Sequence, residues 1–328
     1  MKTTAAITGV AAYVPEYVLK NDELEQMVDT TNEWIMTRCG VSERRILKDK
    51  DKATAFMAAE AAQKLLSKKS LSPLDIELII VATVTPDHQY PATANSVADM
   101  IGAKNAWGFD VQAACSSFLS ALNIGSKFIE AGAHKKILVI GSDKMSSIID
   151  YNDRKTSILF GDAAGAVLLE PSIDGTGIID TRMYADGSGK KHLYQPAGGS
   201  LIPASLDSIV NKQHFVHMEG QSVFKVAVVK MADVAAEMME RNNLKPEDIA
   251  FLTPHQANKR IIEATANRMG ISMDKVMLNI EKYGNTTSAT IPLCLAEWED
   301  QLKKGDNIII TTFGAGFSWG GMYVKWSY

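Results

Sequence analysis

The stretch LSPLDIELIIVATVTP at residues 71–86 decides the fold, because its pattern returns as LKPEDIAFLTPHQAN at residues 244–258. Each copy has a Leu, one residue, a Pro, an Asp-Ile pair and then an apolar strand that ends in Thr-Pro. The offset between the two copies is 244 − 71 = 173 residues. A long repeat at a fixed offset predicts an internal duplication, although two unrelated α/β halves could resemble each other by chance.

Segments further along the chain keep a similar spacing. Three pairs match: DMIGAKNAWGFDV (99–111) with NRMGISMDKVMLNI (267–280), KKILVIGS (135–142) with DNIIITTFG (306–314), and GDAAGAVLLE (161–170) with GFSWGGMYVK (316–325). Helical patterns at 55–69 and 224–242 precede the repeated strands, so each half alternates helices and buried strands. We therefore predict two packed α/β halves, at residues 1–172 and 173–328. The segment 171–206, rich in Gly, Ser and Pro, is predicted to be a long functional loop between them.

Composition limits the classes of protein that this chain can be. It has 328 residues, 46% of them hydrophobic, and a net charge of −4, which is typical of a globular protein and argues against a nucleic-acid partner. No stretch approaches the ~20 apolar residues of a membrane span, and TTAAITGVAAYV near the start is predicted to be a buried first strand. Three cysteines are too few for a disulfide framework, so we expect the cytoplasm.

Cys115 stands at an unusual place in GFDVQAACSSF (108–118), between a strand ending at Val111 and a helix starting near Ser116. The unpaired N–H groups at a helix start favour a thiolate and predict a thiol pKa below the free value of ~8.5. The duplication pairs Cys115 with Asn285 in the loop EKYGNTTSATIP, and His255 follows the matching strand IAFLTP. We predict that the three side chains share a pocket. An inert buried thiol, a turn asparagine and a structural histidine remain the alternatives.

Five stretches carry a resemblance to a known family: DTTNEWIMTRCGVSERR, DVQAACSS, HQANKRII, YGNTTSATIP and FGAGFSWGG. In order and spacing they resemble β-ketoacyl-acyl-carrier-protein synthase III, the condensing enzyme that initiates fatty-acid synthesis. The resemblance implies an α/β protein of the thiolase fold, with two duplicated halves in a five-layer αβαβα arrangement. Cys39 and Cys294 lie in helical, apolar surroundings and are predicted to be packing residues.

The resemblance also implies a reaction. Cys115 would take an acyl group from acyl-CoA, with acetyl-CoA expected as the primer, and condense it with malonyl-acyl-carrier protein as CO2 is lost. His255 and Asn285 would hold the enolate charge. The backbone N–H groups of Cys115 and Ala315 would hold the second oxyanion, although the family more often has glycine at the latter position. An alanine there would be strained if the loop required a positive φ.

The remaining assignments come from the same resemblance. Positions expected to bind CoA and its pantetheine arm are Thr30, Trp34, Arg38, Arg154 and Asn258. Those expected to shape the acyl pocket are Phe313, Phe160 and Tyr90, the last reaching across a homodimer. Those expected to dock the carrier protein are Lys225, Lys259 and Arg260. We predict no metal and no cofactor, because CoA thioesters are substrates.

Two other classes use similar residues. A papain-like hydrolase has Cys, His and Asn in this chain order, but it would need a C-G-S-C-W type signature that this chain lacks. A non-catalytic member of the condensing fold would typically have lost one of the three polar side chains. Within the enzyme hypothesis, the alternative is a starter ketosynthase or thiolase-type acyltransferase of secondary metabolism. A true thiolase or an elongating synthase would need a second Cys or His in the pocket.

Overall fold

The computed structural model describes residues 3–328 as α/β. The strands within this range are β1 Thr4–Tyr13, β2 Tyr17–Lys20, β3 Glu43–Ile46, β4 Leu78–Ala82, β5 Trp107–Val111, β6 Ile137–Asp143, β7 Ala163–Ser172, β8 Gly177–Ala185, β9 Leu193–Tyr194, β10 His217–Met218, β11 Ile249–Pro254, β12 Asn307–Gly314 and β13 Ser318–Lys325. The α-helices are α1 Asn21–Met27, α2 Asn32–Cys39, α3 Thr54–Lys69, α4 Thr93–Ile101, α5 Ser117–Glu130, α6 Leu206–Val210, α7 Gly220–Arg241, α8 Lys259–Met269, α9 Ile280–Tyr283 and α10 Thr290–Trp298.

Two large sheets reproduce the duplication predicted from the sequence. The first has the order β1-β7-β6-β4-β5, and the second has β8-β13-β12-β11 in the same sense. The two sheets share a parallel pair, β4 with β6 in the first and β11 with β12 in the second, and the adjoining pair, β6 with β7 or β12 with β13, is antiparallel in both. Helices α4 and α8 even end alike, on Gly102 at φ 76° and Gly270 at φ 72°, the left-handed cap that favours glycine.

The fifth strand of the first sheet has almost no counterpart in the second. The segment VMLNI was matched to a strand, but it forms only an isolated parallel bridge between Leu252 and Val276. The side chain of Gln256 supplies the reason. Its amide donates to the Met277 carbonyl at 2.9 Å, and its Oε1 accepts from the N–H groups of Asn279 and Ile280, which turns the backbone into α9.

The helices form layers on and between the two sheets. Helices α3 and α4 pack on the outer face of the first sheet, and α7 packs on the second sheet with α8 against it. Helices α5 and α10 lie between the sheets and share the largest apolar core with strands of both. The packing is therefore the five-layer αβαβα arrangement that was predicted. Among residues 3–328, no helix has the length and apolar character needed to cross a bilayer.

The segment 171–206 corrects one prediction, because most of its first half is a strand rather than a loop. β8 forms an edge of the second sheet and pairs with β13 from Ala185 opposite Ser318 to Gly177 opposite Lys325. Strand β8, GIIDTRMYA, is partly exposed and carries polar residues, so the composition of the strand resembles that of a loop. The irregular excursion is confined to residues 186–216, which carry α6.

Candidate active site

One cavity of about 1020 Å³ brings the predicted residues together. Cys115, His255 and Asn285 all line it, as do Phe313 and Ala315 of the glycine-rich loop. Cys115 follows β5 of the first sheet, and the others come from segments of the second half. The cavity therefore forms only where the two duplicated units meet.

Cys115 lies in a single 3₁₀ turn, Ala114–Ser116, directly before α5. The turn is fixed by hydrogen bonds on both sides: Thr312 Oγ1 donates to the Cys115 carbonyl at 2.7 Å, and Ser117 Oγ donates to the Ala114 carbonyl at 2.5 Å. Ala114 has φ 48°, a left-handed conformation that costs energy outside glycine. Such a sharp turn presents the thiol at the start of the helix.

The charge state of Cys115 differs from the sequence prediction. Burial raises the pKa of the Cys115 thiol to about 12, whereas the helix start predicted a lowered value. Hydrogen bonds from its own backbone N–H and from the Asn285 side chain favour the thiolate and partly oppose this rise in pKa. The resting thiol is therefore protonated, and Asn285 is within hydrogen-bonding reach of it.

His255 follows β11 and is only 1% exposed. Its backbone N–H donates to the Thr311 carbonyl at 2.8 Å, which holds the residue against β12. Neither ring nitrogen has a hydrogen-bond partner among the described residues. Burial lowers the pKa of the imidazole to about 3, so the ring is neutral and has one N–H free to donate into the cavity.

Asn285 is held with its amide in a defined direction. Its Oδ1 accepts from the Thr287 N–H at 2.9 Å, so the NH2 group is left for the cavity. Its backbone N–H donates to the Leu159 carbonyl at 2.8 Å, and its own carbonyl accepts from the Gly161 N–H at 3.1 Å. The neighbouring Phe160, a buried wall of the cavity, is fixed by the same pairing.

The structural twin of Cys115 is Ser288 rather than Asn285. Ala114 at φ 48° and Thr287 at φ 52° are both left-handed, and each opens a 3₁₀ turn that leads into a helix between the sheets. The offset of these two residues is 287 − 114 = 173, the same as in the opening repeat. Asn285 comes from the matching loop, three residues before the twin position.

The glycine-rich loop approaches the Cys115 turn closely. A Cβ on Gly314 would lie 2.8 Å from the Cys115 nitrogen and 3.1 Å from the Ser116 nitrogen. Ser318 Oγ joins the loop to the turn through the Ala113 carbonyl at 3.3 Å. The left-handed position of this loop is Gly316, with φ 137°, and Ala315 is not among the positive-φ residues. An alanine therefore fits at 315 without strain.

Sequence reasoning missed Asp143, the last residue of β6. Its carboxyl group accepts from four donors on residues 83–85 and from the Ser288 N–H, and its Oδ2 lies 2.5 Å from Ser288 Oγ, so it joins both halves beneath the cavity. The available signal was an acidic residue at the end of the apolar strand ILVIGSD, where a buried carboxyl group requires dedicated partners.

Several predicted CoA positions cluster at the cavity entrance. The guanidinium carbons of Arg38 and Arg154 lie 5.6 Å and 5.2 Å from the centroid of Trp34, so two cations contact one indole. Arg154 also donates to the Asp29 carbonyl at 2.8 Å. All three predicted residues line the cavity. The set combines a stacking surface with positive charge, which suits an adenine and its phosphates.

Asn258 and Lys259 have structural contacts beside any binding role. Asn258 caps α8 by accepting from the Arg260 N–H at 3.0 Å, and its amide donates to the Arg38 carbonyl at 2.8 Å. A Cβ on Gly40 would lie 2.9 Å from the Lys259 Cβ, so the lysine stem packs against that glycine. Asn258 lines the cavity, but Lys259 does not.

The remaining predicted residues divide into two groups. Lys225 and Arg260 line the cavity, and Arg260 stacks over Phe224 at 4.8 Å. Tyr90 and Thr30 do not line it: Tyr90 is 87% exposed, and the Thr30 hydroxyl is buried without a partner in the described chain.

Cys39 and Cys294 are both buried in helices, as predicted for packing residues, although Cys39 also touches the cavity. Across residues 3–328, no three His, Cys, Asp or Glu side chains are grouped to hold a metal ion.

Duplicated halves of this topology with a buried thiol at their junction define a condensing enzyme of the thiolase fold. Comparison with known proteins supports this class. The family model for 3-oxoacyl-[acyl-carrier-protein (ACP)] synthase III matches residues 109–187, and the model for its C-terminal part matches residues 239–326.

Individual relatives agree along the whole chain. A β-ketoacyl-[acyl-carrier-protein] synthase III of Chlorobium chlorochromatii is 57% identical over 98% of this chain and 99% of its own. The crystal structure of the Aquifex aeolicus 3-oxoacyl-[acyl-carrier-protein] synthase III is 42% identical and has a TM-score of 0.90, covering 98% of this chain and 100% of its own. A priming β-ketosynthase of a polyketide biosynthetic pathway is 33% identical with a TM-score of 0.91, over 98% of this chain and 96% of its own.

The chain belongs to the β-ketoacyl-acyl-carrier-protein synthase III family. It is an acyltransferase, an initiating condensing enzyme of fatty-acid synthesis, and the resemblance read from its motifs is confirmed.

Proposed function

We propose that Cys115 is the acyl-accepting nucleophile and that His255 and Asn285 bind the enolate formed from the malonyl thioester. The observation that carries this proposal is the set of three side chains in one cavity, each with its reactive group free to act. Cys115 has a thiol, Asn285 has an oriented NH2 group, and His255 has a neutral ring without a protein partner.

The first half-reaction transfers an acyl group. The sulfur of Cys115 attacks the thioester carbonyl of acyl-CoA, the new carbon–sulfur bond to Cys115 forms, and the bond to CoA sulfur breaks. The thiol proton leaves with the CoA thiolate, so CoA is released as the free thiol. One thioester replaces another of similar energy, which makes the step readily reversible. Acetyl-CoA is the primer we propose.

The second half-reaction is a decarboxylative Claisen condensation. Malonyl-acyl-carrier protein loses CO2, and the electron pair of the broken bond becomes the enolate on the thioester oxygen. Neutral N–H donors from His255 and Asn285 suit this charge, and a preorganised donor of this kind contributes about 3–4 kcal/mol. The enolate carbon then attacks the acyl-Cys115 carbonyl. The Cys115 thiolate leaves and takes a proton from water, giving β-ketoacyl-acyl-carrier protein.

The tetrahedral intermediate needs its own donors, and we assign them to the backbone N–H groups of Cys115 and Ala315. The close approach of Gly314 to the Cys115 nitrogen supports this assignment, because it brings the two backbone segments side by side. Ala315 lines the same cavity. No side chain is needed for either donor, so an alanine at this position is compatible with the role.

We propose that CoA enters past Trp34, Arg38 and Arg154, with Thr30 and Asn258 contributing further contacts. The carrier protein docks on Lys225, Lys259 and Arg260. Two of these three basic residues line the cavity entrance. Phe313 and Phe160 form walls near the acyl group. Since CoA thioesters and a carrier-bound thioester supply all the reacting groups, no cofactor is required.

We further propose a cytoplasmic homodimer. β5 is an edge strand of the first sheet, so its outer hydrogen-bonding groups are available to a second copy. Tyr90, at 87% exposure, would be covered by such a partner and would approach the partner's acyl pocket. Each chain would divide into thiolase-like halves at residues 1–172 and 173–328.

The experiment that tests the nucleophile is transfer from radiolabelled acetyl-CoA to Cys115→Ser. Because a serine hydroxyl is a much weaker nucleophile than a thiolate, we expect no labelled protein above background, with an unchanged circular dichroism spectrum. Cys39→Ser is the matched control and should label like the wild type. Covalent label retained on Cys115→Ser would overturn the assignment.

A further inference from the structure

Asp143 is a fully buried carboxyl group at the junction of the two halves. Its Oδ1 lies 2.8 Å from the Val84 nitrogen and 2.9 Å from Thr85 Oγ1, and its Oδ2 lies 3.0 Å from the Ser288 nitrogen and 2.5 Å from Ser288 Oγ. Lys144 is its neighbour in the chain, and the Cys115 thiol is close enough for a charge on Asp143 to act on the thiol pKa. Lys144 is turned away, with its Nζ donating to the carbonyls of Asp49 and Lys52.

The hydroxyl of Ser288 reveals where a proton must be. Its Oγ is 2.5 Å from Asp143 Oδ2 and 2.8 Å from the Ala82 carbonyl oxygen. A serine hydroxyl has one proton, so it can donate to only one of these two oxygens. If the carboxyl were ionised, the other contact would place two acceptors against each other at hydrogen-bonding distance. A proton on Oδ2 satisfies both contacts.

We propose that the Asp143 carboxyl group stays protonated and donates a hydrogen bond to the Ser288 hydroxyl. The Ser288 hydroxyl in turn donates a hydrogen bond to the Ala82 carbonyl, so that a neutral link joins the two halves below the active site. Burial raises the pKa of Asp143, in agreement with this arrangement. No ion pair forms with Asp143 among the residues that the structure describes, so no cation offsets the cost of burying a charge there.

The link lies beside the residues assigned to catalysis, so its effect on them rests on the proposed function. Ser288 is the structural twin of Cys115 and shares the turn Thr287–Ala289 that follows Asn285. Fixing Ser288 to β4 and β6 therefore fixes the amide donor relative to the thiol. A neutral carboxyl also leaves no negative charge beside the Cys115 thiolate or the enolate. Asp143 is thus a positioning residue.

Infrared spectroscopy of the ligand-free enzyme tests the proton directly. At pH 7 we expect the wild type to show a protonated-carboxyl C=O band that Asp143→Asn lacks. Asp162→Asn is the matched control, because Asp162 is equally buried, but its hydroxyl partner Ser146 contacts one acceptor only. This control should keep the band. A wild-type spectrum without the band, or a band lost only in Asp162→Asn, would overturn the proposal.

Two further measurements keep the proposal testable if Asp143→Asn folds poorly. Ser288→Ala removes the acceptor of the carboxyl proton, so the wild-type band should move in frequency, and an unmoved band would contradict the link. The second measurement is the pH dependence of Cys115 alkylation by iodoacetamide, followed by peptide mass spectrometry. Removing a nearby ionised carboxylate would lower the apparent thiol pKa by about one unit or more.

For a protonated Asp143 we expect the apparent thiol pKa in Asp143→Asn to match the wild type. A fall of a unit would show that the carboxyl is ionised. Neither the infrared band nor the alkylation profile requires acyl transfer. Failure of the Cys115→Ser labelling experiment would therefore leave this inference standing, and failure of this inference would leave the nucleophile assignment standing.

Discussion

Burial, rather than ion pairing, sets the protonation states of His255 and Cys115. His255 is held neutral because its ring is buried with no acidic partner, and burial lowers its pKa to about 3. A neutral imidazole can donate one N–H to an enolate, and because it carries no positive charge it does not form an ion pair with the malonyl carboxylate. The same burial raises the pKa of the Cys115 thiol to about 12, so the proposed acylation requires the resting thiol to lose its proton.

The lowered His255 pKa predicts a specific dependence of stability on pH. Below pH ~6.5 the unfolded chain binds a proton at this histidine, whereas the folded His255 does not accept one until about pH 3. As the pH falls across that window, the free energy of unfolding therefore decreases by about 1.4 kcal/mol per pH unit. His255→Gln should lose this slope. Urea unfolding at pH 7 and pH 5 measures it, with the exposed His217→Gln as control. Parallel pH dependence in wild type and His255→Gln would refute the buried neutral ring.

At the scale of elements, the site depends on a glycine-rich loop lying against the turn that carries the nucleophile. Gly314 ends β12, and the chain turns back into β13 within a few residues. The hydrogen bond from Ser116 Oγ to the Ser318 carbonyl at 3.0 Å closes this contact. Backbone therefore meets backbone at the thiol, and the two proposed oxyanion donors depend on that spacing.

Gly314→Ala should separate the loop from the turn. The added Cβ would lie 2.8 Å from the Cys115 nitrogen, a distance that real Cβ atoms do not reach, so backbone must move. We expect at least a tenfold loss in kcat for the condensation, since a removed oxyanion donor costs about 10²–10³ in rate. Gly187→Ala is the control, because its Cβ meets nothing within 4 Å. Steady-state kinetics that are unchanged in Gly314→Ala would argue against the close-contact model.

Some elements could be predicted from the sequence and others could not. The 173-residue repeat identified β4, β6, β7, α3 and their counterparts, because apolar periodicity and a Pro-Asp turn are local signals. The loop match paired Cys115 with Asn285, although the 173-residue offset applied to Cys115 falls on Ser288, and the left-handed φ of Ala114 and Thr287 identifies Ser288 as the equivalent position. The strand expected after Val276 is replaced by bonds to the Gln256 side chain, a tertiary effect.

At the scale of the whole molecule, the net charge and the two-half architecture both bear on how a carrier protein would reach the thiol. The chain is net negative at −4, so the proposed docking of an acidic carrier protein requires a local basic patch rather than the overall field. Lys225 and Arg260 lie at the cavity entrance on helices of the second half, whereas the thiol belongs to the first. Motif resemblance predicted three residues that the fold brings into one cavity, but the Asp143 contact between halves required the folded structure.

Reversing Arg260 should weaken carrier-protein use selectively. We expect Arg260→Glu to raise KM for malonyl-acyl-carrier protein about tenfold while changing KM for acetyl-CoA little, because an exposed rim charge mainly affects encounter. The wild-type KM for the carrier substrate should also rise with salt as charges are screened over ~8–10 Å. Arg268→Glu, on the same helix but paired with Asp233 at 3.5 Å, is the matched control. Equal losses toward both substrates would instead place Arg260 on CoA or in the fold.

One paired measurement separates acylation of Cys115 from decarboxylation, the step proposed for His255 and Asn285. His255→Ala and Asn285→Ala are mixed first with acetyl-CoA alone, and intact-protein mass spectrometry records the acyl adduct on Cys115. Release of CO2 from malonyl-acyl-carrier protein is then followed with the same samples. We predict normal adduct formation and a loss of CO2 release of about 10²-fold or more, because each variant lacks one enolate donor. Failure of His255→Ala to form the adduct near neutral pH would identify the histidine as the base for the thiol, and would contradict the account.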